Sequence, residues 1–369
     1  MDLFLIFAGL RINPYHFFVR IELMKLYPLL FEPNLHPVVW GGEQLCPYKG
    51  LEPVSEPIGE SWEVSAVPSS ISIVSNGTER GRNLVEVIND APAEMLGRAV
   101  SQQYDGKLPL LVKFIDAKHD LSIQVHPNDE MAQRVHGKMG KSEMWYVIKA
   151  EEGSYLYAGF KEHITPYEYQ RRVEDGSITD VLARHEVKAG DVFYIPAGRV
   201  HAICGGIMLA EVQQSSDVTY RIYDYNRPGM DGKPRELHTE LAAQAIDYHV
   251  EQEYRTVYSD KKDSAIQIID SPYFDVRVTE MTGVFHRNLL KYDSFIISAC
   301  IEGDCKIRIR TTGDEILLKK GNSCFIPAAI ADYDVIPVEG RTRILDAFID
   351  NMDRSLVGKV NRFLHITTN

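Results

Sequence analysis

VKAGDVFYIPAGRVHAI, residues 187–203, and LKKGNSCFIPAAIADYD, residues 318–334, are one pattern written twice. Gly190, Ile195-Pro196-Ala197 and His201 stand opposite Gly321, Ile326-Pro327-Ala328 and Asp332. Upstream, MWYVIKAEEGS (144–154) stands opposite FIISACIEGDC (295–305), with Gly153 against Gly303. Each copy runs through a β-rich segment, a glycine turn and a second β-rich segment that ends at proline, then opens a further strand. The first copy is longer between its glycines. The extra residues at 165–185 (TPYEYQRRVEDGSITDVLARH) read as two short helices, with Thr165 as N-cap and Pro166 at the first helical position.

Further strands read at Leu110–Ile115, Leu121–His126, Glu186–Val187 and Met208–Val212, and most of 264–369 is strand-like. Residues 83–103 read as one or two helices and 238–248 as another. The expected fold is mainly β: two cupin-like jelly-roll barrels with a few short helices inserted. A metal-binding cupin domain is expected over 24–250 and a second, metal-free one over 251–369. Residues 1–23 stand apart. Their apolar run LFLIFAGL is too short to span a membrane and lacks the basic start and cleavage site of a signal peptide. It reads as the product of an upstream start, with the body beginning at Met24.

Composition excludes several classes. In 369 residues there are 40 Lys and Arg against 52 Asp and Glu, a net charge of −12. Such an acidic chain lacks the basic face that nucleic acid requires. The five cysteines are scattered, with no CxxC pair, which suits reduced thiols and a cytoplasmic setting. No membrane or nucleic-acid partner is expected, and the oligomeric state is not legible.

In LSIQVHPND, Gln124 and His126 are two residues apart on a strand and share a face. Glu143 opens the next strong strand, and His201 follows the PAG turn. An amide oxygen, two imidazoles and a carboxylate suit Zn²⁺, and could also take Mn²⁺, Fe²⁺, Co²⁺ or Ni²⁺. In the second copy Asp332 replaces His201, Asp293 lies near the Glu position, and no QxH or HxH precedes them. One barrel is therefore expected to bind metal and the other to be structural.

PNLHPVVWGG (33–42), IGESWEVSA (58–66), LLVKFIDA (110–117), LSIQVHPND (121–129), GKSEMWYV (140–147), GDVFYIPAGRVHAI (190–203) and SSDVTYRIYDYNR (215–227) together resemble the type I mannose-6-phosphate isomerases in their short bacterial form. The resemblance implies an aldose–ketose isomerase with one Zn²⁺ per chain, acting on a phosphorylated hexose through a cis-enediol. It implies Gln124, His126, Glu143 and His201 as metal ligands and Lys141 and Arg221 as catalytic residues. Whether Lys141 or a hydroxide ion at the metal is the base stays open. Lys113, Arg199 and Arg227 are candidates for the phosphate, and Trp62 and Tyr146 for the sugar pocket. The alternative is a non-catalytic sugar-binding or redox bicupin. The single Gln in place of a His argues against redox duty, and a binding module would not need Lys141 beside the metal.

Overall fold

The computed structural model describes residues 26–350. The expected N-terminal extension, 1–23, lies outside the described residues. The chain forms two jelly-roll units, each made of two packed sheets rather than a closed ring. In the first unit a seven-stranded sheet has Val192–Ile195, Glu143–Ala150, Ile207–Gln214 and Leu110–Ala117 as successive neighbours. Its partner sheet has the order Tyr220–Tyr223, Ile123–Val125, His201–Ile203, Tyr155–Phe160, Leu182–Glu186.

The second unit repeats the central strands of this arrangement in sheets of six and four strands, with no counterpart of Tyr220–Tyr223 among the described residues. Ser323–Ile326, Ile296–Glu302, Thr342–Phe348 and Asp275–Met281 are neighbours in one sheet. Phe285–Asn288, Asp332–Pro337, Cys305–Ile309 and Glu315–Leu318 form the other. The matched Gly190 and Gly321 turn with φ of 92° and 75°, where a side chain would be strained.

The two large sheets pack back to back. Odd-numbered residues of Glu143–Ala150 and Leu110–Ala117, such as Trp145 and Ile115, face the interior of the first unit. Even-numbered ones, such as Met144, Val112 and Phe114, face Phe295, Ile297 and Leu345 of the second. With both faces covered, Leu110–Ala117 and Ile207–Gln214 are buried along their whole length. The units are also laced at their edges. Leu29–Leu30 joins the second unit's sheet beside Ser323–Ile326, and Arg255–Thr256 joins the first beside Val192–Ile195.

The helices differ from expectation in several places, among them a short unforeseen helix at Leu45–Tyr48. Residues 83–103 form three pieces, Leu84–Asp90, Pro92–Leu96 and Arg98–Gln103, because Pro92 begins one and Gly97 turns at φ 91° before the next. Within 165–185 only Pro166–Glu174 is α-helical. Ile178–Val181 is a single 3₁₀ turn, and Leu182–Glu186 pairs with Tyr155–Phe160 as a strand. A helix not foreseen, Asp129–His136, is capped by Asn128 and ended by Gly137 in the left-handed conformation.

The interior of the second unit is crossed by an ion pair between Arg287 and Asp346, which are 4% and 0% exposed. Ser298 Oγ donates to Asp346 as well. Removing one member leaves a buried charge without its partner. Asp346→Ala should therefore lower unfolding free energy by about 3–5 kcal/mol, read from urea denaturation. Glu315→Ala, which breaks the exposed Lys306–Glu315 pair, should change it by less than about 1 kcal/mol.

Candidate functional site

Strand register brings the expected residues together in the first unit. His201 opens its strand opposite Gln124 on one side and Ala158 on the other. Arg221, on the next strand, is also opposite Gln124. Glu143 comes from the facing sheet, where it opens its strand opposite Ile195. One carboxylate oxygen of Glu143 lies 3.3 Å from His201 Nε2 and the other 3.3 Å from His126 Nε2. All three side chains are within 1% of complete burial.

The far side of each imidazole is fixed. His126 Nδ1 lies 3.0 Å from the Val218 carbonyl and His201 Nδ1 lies 2.8 Å from the Arg199 carbonyl. A carbonyl only accepts, so Nδ1 carries the proton and Nε2 presents its lone pair to the centre. Burial pushes His126 down to about 3, assisted by the Lys141 charge, and burial lowers His201 too. Burial would raise Glu143, but Lys141 and the two imidazoles outweigh it and hold the carboxyl well below its usual range.

This donor set fits a cation. His201 Nε2 and Glu143 Oε2 are buried without a hydrogen bond of acceptable geometry. Lys141 Nζ stands against the cluster, 2.9 Å from Glu143 Oε2 and 3.0 Å from His126 Nε2. Two neutral imidazoles and a carboxylate, with the Gln124 amide on the adjoining wall, are ligands that divalent first-row metals accept.

A cavity of about 340 Å³ opens onto the cluster, lined by Trp62, Lys113, Gln124, Lys141, Glu143 and Arg221 among others. That is within the range of small-molecule sites. A larger cleft, about 970 Å³, lies between residues 93–103 and 290–293 and contains none of these groups.

Arg221 lines the cavity and donates from Nη1 to the Glu236 carbonyl. The carboxylates nearest it in sequence are engaged elsewhere, Asp217 with Lys138 and Asp224 with Arg227 and Arg235. Lys113 is a buried counter-ion, 3.7 Å from Glu60 and 3.6 Å from Glu211, with Nζ 4.9 Å from the Trp62 ring centroid. Arg199 is not at the cavity. It donates to the Tyr194 carbonyl and pairs with Glu251. Arg227 also lies off the cavity, bonded to Asp224. Tyr146 has the wrong parity on its strand and faces the seam, where Arg343 donates to its hydroxyl.

Glu211 was not foreseen. It is 3% exposed, lines the cavity, and is pushed up to about 7 by burial and by the charge of Glu143. A glutamate at an inward position of the otherwise apolar run IMLAEV was its legible signal.

The second copy is built differently at these positions. Strand register moves the upstream match by two residues: Ile296, which the sequence pairs with Trp145, lies opposite Ile326 where Glu143 lies opposite Ile195, and Asn288 lies opposite Asp332 where Gln124 lies opposite His201. Asp293, expected near the Glu position, instead accepts from the Arg98 and Ala99 amides and caps a helix. Asp346 is the counterpart of Glu211, opposite Ser298 as Glu211 is opposite Trp145.

Lys113→Met removes the nearer cation from half-buried Glu60 and buried Glu211, leaving Lys141 at 4.0 Å from Glu211, and should destabilise the fold by about 3 kcal/mol, the lower end of the range for breaking a buried pair. Adding Glu211→Gln should return part of that loss. A double-mutant cycle by thermal or urea unfolding reads the coupling.

Comparison with known proteins finds two family models. One is described as phosphomannose isomerase type I, catalytic domain, matching residues 29–154, and the other as mannose-6-phosphate isomerase, cupin domain, matching 265–348. The mannose-6-phosphate isomerase ManA of Bacillus subtilis is 34% identical over 315 residues, covering 84% of this chain and 96% of that protein. The mannose-6-phosphate isomerase of Streptococcus mutans is 32% identical over 307 residues, covering 83% and 94%. The crystal structure of the mannose 6-phosphate isomerase from Bacillus subtilis superposes with a TM-score of 0.78 at 31% identity, covering 87% of this chain and 99% of that one.

Proposed function

The chain belongs to the type I phosphomannose isomerase family, and on that premise we propose that it interconverts mannose 6-phosphate and fructose 6-phosphate as a zinc enzyme. Mannose-6-phosphate isomerase activity follows from the family. The zinc, the residue roles and the cis-enediol route are our reading. The observation that carries it is the buried convergence of His126, Glu143 and His201, with both imidazole Nε2 atoms turned inward beside a cavity of sugar size.

His126, Glu143, His201 and Gln124 would hold the ion. When bound, it supplies a Lewis acid that stabilises negative charge developing on the sugar oxygens. The remaining work falls to side chains of the chain. The reaction moves one proton between C2 and C1 and a second between the oxygens O2 and O1, so one group must take the carbon-bound proton and return it on the same face. Lys141 Nζ is that group in our reading. It is the flexible amine nearest the ligand cluster and opens into the cavity. Arg221, without a carboxylate partner among the described residues, would hold the enediolate or sugar oxygens. Trp62 forms part of the wall beside Lys113. The five buried, unpaired thiols are in keeping with a cytoplasmic protein.

His201→Ala should lose bound zinc and nearly all turnover, read by elemental analysis and a coupled assay on mannose 6-phosphate. Asp332→Ala, at the matching place in the second unit, should leave the metal content unchanged. Full zinc occupancy in His201→Ala would overturn the assignment.

Lys141→Met removes the amine and leaves the four ligands. If Lys141 carries the proton, kcat should fall by about 10²–10⁴-fold with metal content retained and KM little altered. Near-parental kcat would remove it from the mechanism.

A further inference from the structure

A separate cavity, of about 290 Å³, lies on the seam between the two units. The first unit contributes Asn34, Lys49, Trp62 and Glu63 to it, and the second contributes Asn322 and Ser323. It holds a buried ion pair, Lys49 and Glu63, which are 5% and 6% exposed. Lys49 Nζ donates to Glu63 Oε1 and, at 2.7 Å, to the Gly321 carbonyl. Ser61 Oγ donates to the same Oε1 at 2.6 Å. Among the described residues these bonds leave Glu63 Oε2 and one Nζ proton uncommitted. Two local devices place the pair. Trp62 lies opposite Lys113 and Val64 opposite Val112, so Glu63 is the extra residue of a β-bulge at the sheet edge. Gly321 turns at φ 75°, and a Cβ on it would sit 2.6 Å from the Tyr48 carbonyl, so only glycine lets the second unit close on Lys49.

Two further polar atoms of this cavity's lining, Ser323 Oγ and Asn34 Nδ2, are buried without a hydrogen-bond partner among the described residues. Ser323 is 4% exposed and stands where the first copy has the fully buried Val192. The fold accepts a valine at that place, so packing does not call for the hydroxyl. An unpaired buried hydroxyl or amide is unfavourable until something binds it. The charges around the cavity cancel, Lys49 and Lys319 against Glu32 and Glu63, so neither a bare anion nor a bare cation is favoured. Leu30, Phe31 and Leu51 complete the wall with apolar surface. A small neutral molecule with several hydroxyls answers all of this. Each hydroxyl both donates and accepts, and the carbon skeleton between them suits the apolar wall.

We infer that the seam cavity is a second ligand site, separate from the metal cluster, which takes a neutral polyhydroxyl molecule of up to hexose size, with Ser323, Asn34 and the Lys49–Glu63 pair as its polar contacts. Only Trp62 lines both this cavity and the one at the metal cluster, so the two sites are neighbours with a common wall and no shared polar group. The inference goes beyond the isomerase reading and does not require turnover.

Mannitol, a neutral hexitol with neither phosphate nor carbonyl, is the probe. Saturation-transfer NMR on the purified zinc-loaded protein should show it bound, and the signal should persist when mannose 6-phosphate is added to saturation. Ser323→Val, which installs the residue of the matching place in the first unit, should weaken binding by about three- to tenfold, the worth of one neutral hydrogen bond. Ser323→Ala, with less bulk, and Asn34→Leu, on the opposite wall, should each do the same. Gln102→Ala, in the wide cleft beside residues 290–293, should leave binding unchanged. Crystals of the zinc-loaded protein soaked in mannitol should show it against Ser323 Oγ. No binding by the parent, displacement by mannose 6-phosphate, undiminished binding in the Ser323 and Asn34 variants, an equal loss in Gln102→Ala, or ordered water only at Ser323 would overturn the inference. Mannitol bound at the seam of a protein that does not turn over mannose 6-phosphate would instead sink the isomerase reading and leave this site standing.

Discussion

Antiparallel register is the constraint on which the site depends. His201 lies opposite Gln124, and Gln124 lies opposite Arg221 on its other side. Side chains alternate along a strand, so a slip of one residue would turn each of these groups out of the interior. The same alternation sends Glu143 and Trp145 inward and Met144 and Tyr146 toward the seam. Packing enforces the register, because the large sheets are covered on both faces and have no polar side to slip toward.

Within that frame the first unit gathers charge that a protein interior ordinarily rejects. Glu60, Glu143, Glu211, Lys113 and Lys141 meet in one place, each compensated by a neighbour. Burial of such groups is costly unless they are paired. The second unit shows the plainer solution to the same geometry. Asp346 occupies the position of Glu211, but a guanidinium crosses the interior to meet it, and Ile296 stands where Glu143 would. One fold, duplicated, thus holds an open ligand-accepting interior in one copy and a closed ion pair in the other.

The repeat in the sequence was enough to read the architecture, because glycine turns and strand alternation are local signals. Gln124, His126, Glu143 and His201 were legible for the same reason: each sits at the start of a strand or two residues from a partner. What local reading could not supply was direction across the fold. Arg199 adjoins His201 in sequence yet is drawn off to Glu251 and the Tyr194 carbonyl. Arg227 is held by Asp224, whereas Arg235, eight residues on, reaches the cavity. Glu211 showed as the one charge in the apolar run IMLAEV, but its burial on a strand covered on both faces follows only from the back-to-back packing. The helix Asp129–His136 had its Asn128 and Gly137 caps in plain view but lies between stronger β signals.

The claim that most of this account rests on is that His126, Glu143, His201 and Gln124 hold one metal ion. X-ray absorption at the zinc edge of the purified protein measures it directly. The account predicts two imidazole nitrogens with oxygen donors at about 2.0–2.2 Å and no sulfur. A sulfur shell at about 2.3 Å, a single imidazole, or a protein that cannot be loaded with metal would contradict it.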